Sequence, residues 1–203
     1  MVANEMKNFK KEVKKKIAQY SNKEYLDGYI KKEFLTDDGD ADITLRVKDK
    51  YDLFDYRTSG NQMGLNNDIY EFIDDKTSML DNDVGINFHI EGLNLSEKEE
   101  GRVKHIIKEH YAIELYKNQK EYRYEKNKSM TMVLFGLILL LLYGLIYIYF
   151  DSEFLLEVFG FMFSFSLWVA FENIIYTVSE LKDESQNIAQ KLLMNVEFKK
   201  SDK

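Results

Sequence analysis

A chain of 203 residues with 31% charged and 14% aromatic side chains is long enough for one soluble domain plus a small membrane unit, and it is not a disordered polymer. The absence of cysteine excludes a disulfide framework, a thiolate metal site and a cysteine nucleophile, and the absence of proline favours long unbroken helices. The net charge of −7 hides a segregation: lysine crowds the N-terminal arm, aspartate crowds residues 37–83, and residues 129–150 carry no charge.

In the arm, residues 1–36, the apolar Phe9, Val13, Ile17 and Tyr20 recur at helical spacing, and Lys7, Lys10, Lys11, Lys14, Lys15 and Lys16 cover the remaining surface. A capping box, Ser21 with Glu24, restarts a helix with Tyr25, Leu26, Tyr29, Ile30 and Phe34 on its apolar face. The lysine face is either an ordinary solvated surface or a site for anionic lipid headgroups on the cytoplasmic leaflet.

Residues 37–95 read as a small α+β domain. DDGDAD, residues 37–42, lacks the glycine at position six and the glutamate at position twelve of a calcium-binding loop. It reads as an acidic turn before a strand. Ile43, Leu45 and Val47 alternate with Thr44 and Arg46 as that strand. After the loop YRTSGNQMGLNND, Asn66 or Asn67 is placed to cap a helix carrying Ile69, Phe72, Ile73, Met79 and Leu80, closed by Asp81-Asn82-Asp83. Val84, Ile86, Phe88 and Ile90 alternate as a second strand. Two strands make a poor sheet and require helices, or another subunit's strands, to close a core. A second capping box, Ser96 with Glu99, opens a linking helix over residues 96–128, with Val103, Ile106, Ile107, His110, Tyr111 and Ile113 on its early apolar face. Past Lys117 that face fades into charge and tyrosine, so its end is expected to be solvated or paired with a helix of another subunit.

A spanning helix needs about 20 apolar residues. Residues 129–150, SMTMVLFGLILLLLYGLIYIYF, supply one, and residues 158–179, with the single charge of Glu172, supply another. The short acidic DSEFLLE stretch between them implies a transmembrane hairpin. Lys117, Lys120, Arg123, Lys126 and Lys128 precede the first span, and Lys182 and Lys191 follow the second. Positive residues stay on the cytoplasmic side, so both termini are expected to be cytoplasmic in a two-span cell-membrane protein. Residues 180–203 are expected to form a cytoplasmic helix and tail.

Within the second span Ser164, Trp168, Glu172 and Tyr176 follow one another at i+4, one step after Gly160, with Asn173 beside them. Such a row slants by about 40° per step and suits crossing helices. Gly136 and Gly144 are the expected partners of Gly160 and Ser164. Glu172 is expected either to hydrogen-bond Asn173, Tyr176, Lys126 or Lys128 as packing glue, or to join a ring that attracts cations to a pore.

The chain has no Gly-rich phosphate loop, no HExxH and no nucleophile elbow. Its three histidines are His89, His105 and His110. The last two are five apart and do not share a ligand face, and His89, out of step with its apolar neighbours, is expected to face solvent. With a pI near 5.1, nucleic acid is not an expected partner, and neither an enzyme, a metal site nor a cofactor is expected.

LWVAFENIIYTVSELKDE followed by KLLMNVEF resembles the end of an uncharacterised family of bacterial two-transmembrane-helix proteins with a small cytoplasmic α/β domain. In that family a Trp-Arg-Pro-x-Glu-x-x-x-Tyr segment closes the second span and a Met-Pro-Val-Glu-like tail follows. Trp168, Glu172, Tyr176, Met194, Val196 and Glu197 keep the pattern, whereas Val169 and Ala170 stand where arginine and proline are usual. YDLFDYRTSGNQMGLNNDIYEFI resembles the family's aspartate-rich loop and helix, so the likeness covers residues 42–198. It implies an architecture and no activity. In layout, and in the Trp-x-x-x-Glu-x-x-x-Tyr spacing, the chain is also similar to the mitochondrial calcium uniporter pore, whose acid lies at the opposite end of its span. The resulting expectation is an α+β cytoplasmic domain joined by a long helix to a transmembrane hairpin. Its function is expected to be that of a membrane-anchored, self-associating scaffold, with an oligomeric cation channel or a ligand-sensing effector as the alternatives.

Overall fold

The structure, a computed structural model, describes residues 12–16, 18, 34–36, 39–55, 57, 64–150 and 152–199. It divides into two units, Met1–Ile107 with Leu193–Lys203, and Lys108–Leu192.

The first unit is built on a three-stranded parallel sheet in the order β1-β2-β3, with β1 at Ala41–Arg46, β2 at Ile86–Glu91 and β3 at Asn195–Lys199. The expected two strands are thus corrected to three. The third lies in the stretch read as helix and tail. A strand of five residues obtains its ladder bonds only from a partner, and here the partner is far away along the chain, so local pattern alone does not reveal it. The register aligns Ile43, Phe88 and Val196 in one row, and Thr44, His89 and Glu197 in the next. Alternation then puts Ala41, Ile43, Ile86, Phe88, Ile90 and Val196 on one face, all buried. Each buried Ile, Phe or Val side chain among them contributes about 1.5–3 kcal/mol.

Parallel neighbours need a crossover, and β1 reaches β2 through a short helix, α1 (Lys50–Leu53), and an amphipathic one, α2 (Asn67–Thr77). Leu53, Ile69 and Ile73 complete this part of the core. Asn66 holds the N-cap position of α2 without a side-chain cap bond, and the helix stops at Thr77, short of Asp81, leaving Met79 exposed. Of the acidic stretch before β1, Asp37 and Asp38 lie outside the described residues; Gly39 adopts a φ of +89°, and Asp42 N donates to Phe34 O at 2.8 Å.

His89 is a correction. It shares the polar row with Thr44 and Glu197, yet it is only 6% exposed. Its Nε2 lies 3.6 Å from Asp42 Oδ1 and its Nδ1 lies 3.5 Å from Glu197 Oε2. The reason is its strand: β2 is central, so side chains of β1 and β3 close on it from both sides. In the N-terminal arm, residues 12–16 are helical and exposed, including Lys14, Lys15 and Lys16. Lys7, Lys10, Lys11 and the Ser21–Glu24 box lie outside the described residues.

A single helix, α3 (Glu97–Tyr149), begins in the first unit and continues through the second. Ser96 and Glu99 form the expected capping box: Ser96 N donates to Glu99 Oε2 at 2.8 Å and Glu99 N donates to Ser96 Oγ at 3.4 Å. Lys50 also ion-pairs with Glu99. Together these hold the Glu99 carboxyl down at about 2, the lysine being the larger cause. In the second unit α4 (Glu153–Asn173), capped by Ser152, runs through a π-helical turn (Ile174–Val178) into α5 (Ser179–Leu193). The runs Glu97–Tyr149 and Glu153–Leu193 each contain a stretch long and apolar enough to cross a membrane.

Candidate functional site: the seam and outer face of the second apolar helix

Two rows of α3 residues, each spaced by seven, line the seam of the second unit: Tyr111, Asn118 and Glu125, then Ser129, Gly136 and Tyr143. A four-residue step joins the rows, so the whole has the 3.5-residue repeat of paired helices. The apolar end of the seam depends on small residues. A Cβ placed on Gly136 would lie 2.8 Å from Leu167 Cδ2, and one on Gly160 would lie 3.5 Å from Tyr143 Cε2. Each glycine thus receives a bulky side chain of the other helix. Gly144, expected in the seam, has nothing within 4 Å of its Cβ position. Ser166 and Ala170 of α4 are buried, and Tyr143 meets Phe163 edge-on with ring centres 5.6 Å apart.

The polar end is a ladder of hydrogen bonds. Asn173 Nδ2 donates to Ser129 Oγ at 2.8 Å and Glu125 Oε2 at 3.0 Å, with Glu125 O at 3.3 Å. Lys128 and, after it, Asn173 hold the Glu125 carboxyl below the usual carboxylate range. Further along, Asn118 Nδ2 donates to Glu184 Oε2 at 2.6 Å and Gln119 Nε2 to Ser185 Oγ at 2.8 Å. Lys191 Nζ stands 5.5 Å from the ring centre of Tyr111. Beyond Lys117 most of α3 is exposed, as expected, and its one covered edge, at Asn118, Gln119 and Glu125, meets α4 and α5 of the same chain.

The stripe divides at a single peptide bond. Successive helical residues point about 100° apart, so Glu172 and Asn173 cannot share a direction. Asn173 faces α3. Ser164, Trp168, Glu172 and Tyr176 face outward, with Trp168 and Tyr176 each 69% exposed. Among the described residues Glu172 has no hydrogen-bond or ion-pair partner. The expected bonds from Glu172 to Asn173, Tyr176, Lys126 or Lys128 are therefore not made. Lys128 pairs with Glu125 at 3.0 Å, and Lys126 lies 5.6 Å from the Tyr122 ring centre. Beside this face, Met132 and Phe135 of α3 and Phe161, Met162, Phe165 and Val169 of α4 line an apolar groove of about 390 Å³.

Sequence reasoning passed over Glu125, Ser129, Asn118 and Ser185. The seven-residue spacing that unites the α3 members was the available signal, masked by the charged side chains between them. In the sheet unit, the helix N-terminus at Ser96 has its own carboxylate, Glu99, on it. No protein-family model, curated protein or solved structure matches this chain.

Proposed function

We propose that the chain is a two-span membrane-anchored interaction protein that self-associates, with the sheet unit and both termini on the cytoplasmic side. The apolar stretches of α3 and α4 cross the bilayer as a hairpin, oriented by the lysines and arginine preceding the first span and the lysines following the second. One observation carries the reading: Glu172 projects from the outer side of the second span, away from the seam, with no partner among the described residues. Intramembrane acids face another helix or water, because a carboxylate surrounded by hydrocarbon costs at least about 2.5 kcal/mol. Counting subunits by stepwise photobleaching of labelled protein in vesicles tests it. More than one copy per particle is expected at dilution, and a single copy throughout refutes it.

The same carboxylate favours a second reading, an oligomeric cation channel with Glu172 on the conducting axis, in keeping with the layout shared with the uniporter pore. A vesicle flux assay then expects conduction in the wild type and a large drop in Glu172→Gln, and no flux in the wild type removes this reading. The exposed Lys14, Lys15 and Lys16 support contact with anionic headgroups. An environment-sensitive fluorophore on Val13→Cys should shift to the blue in vesicles containing anionic lipid, and high salt should abolish the shift.

A further inference from the structure

The outward faces of the two apolar helices differ in chemistry. That of α3 exposes Leu134, Leu137, Ile138, Leu141 and Leu145, which lipid tails solvate without cost. That of α4 exposes Trp168, Glu172 and Tyr176 in one row. The Glu172 carboxylate is an acceptor. The Trp168 indole N–H and the Tyr176 hydroxyl, one turn to either side of it, are donors, and none of the three side chains has a partner among the described residues. The row is thus complementary to itself.

We propose that this row packs against the same row of a second copy, α4 parallel to α4; the inference rests on the self-association reading above. Copies inserted in the same sense pair in parallel, and around a two-fold axis residue i of one helix lies beside residues i and i±4 of the other. Each Glu172 carboxyl then reaches the Trp168 or Tyr176 donor of the other copy. Such charge-assisted bonds meet no competing water in hydrocarbon. The groove supports the same register. Its α4 wall runs from Phe161 to Val169, beside Trp168, opposite Met132 and Phe135 of α3, so the indole of the second copy has an apolar seat beside the row.

The chain has no cysteine, so single-cysteine variants report without background. Ser164 lies in the row, two turns from Glu172, and Leu141 lies on the outer face of α3. In vesicles under mild oxidation, Ser164→Cys should yield a covalent dimer and Leu141→Cys should not. Glu172→Leu should weaken association about ten-fold or more, while Glu172→Gln, which retains an acceptor, should keep most of it. An assembled protein that crosslinks through Leu141→Cys and not Ser164→Cys overturns this interface and leaves self-association standing. A protein that is monomeric throughout overturns both, and undiminished association of Glu172→Leu overturns the role given to the carboxyl.

Discussion

Asn173 and Ser129 show what one side chain does in a helix seam. Ser129 is 1% exposed and depends on Asn173 as its donor across the helices, and Glu125 accepts from the same amide. Replacing Asn173 by leucine leaves two acceptors facing an apolar group, which costs about 1–3 kcal/mol. The midpoint of SDS-induced unfolding in mixed micelles should fall accordingly. Leu141→Ala, on the exposed face of α3, should stay within about 0.5 kcal/mol of wild type. Asn173 was visible in the sequence as a polar residue beside Glu172, but the direction in which each points was not. Helical phase gives only their angular difference, and the position of α3 decides which of the two turns inward.

At the level of the element, the N-terminus of α3 is a titratable clamp. The Glu99 carboxyl is lowered from the usual 4.5 to about 2 by Lys50 and Ser96. A folded-state value below the unfolded one means that the stabilisation is complete above about 4.5 and is lost as pH falls from there through about 2. Urea midpoints at pH 6 and pH 3 should therefore separate less in Glu99→Gln than in wild type. The capping box was legible because its residues are three apart. Lys50 was not, since it reaches Glu99 only through the fold. The seam of α3 with α4 makes a second prediction. Gly136→Val forces a side chain against Leu167 and should cost about 1–3 kcal/mol, whereas Gly144→Val meets open space and should cost little. The comparison is read from the same SDS midpoints. The π-helical turn at Ile174–Val178 inserts one residue between the Ser166–Ala170–Asn173 seam and the Leu181–Ser185–Ile188 row. With a 3.5-residue repeat, that insertion keeps the second row in phase with the first.

At the scale of the whole molecule, the sheet unit is completed by a strand far away in sequence. β2 leads into α3, α4 and α5 follow, and only then does β3 add to β2. Val196 is buried at 3% exposure in the row with Phe88 and Ile43. Val196→Asp puts an unpaired charge there and should destabilise the sheet unit by about 3 kcal/mol or more. Limited proteolysis in vesicles should then cut within residues 41–107 at protease levels that leave the wild type intact, while residues 129–179, which the proposed reading places in lipid, stay protected. Equal resistance of the two proteins would show that β3 is dispensable to this unit.

The amino-acid sequence by itself determined the elements whose signals are local. These are the two long apolar stretches, the Ser96–Glu99 box, and the alternation of β1 and β2. Each depends on composition, or on spacings of a few residues that helix and strand periods impose. The tertiary structure alone decided the rest. It supplied the third strand, enclosed His89 between Asp42 and Glu197, paired α3 beyond Lys117 with α5, and turned Asn173 inward and Glu172 outward. Those outcomes depend on which surfaces meet, and residues distant along the chain share a surface only after the backbone has brought their elements together.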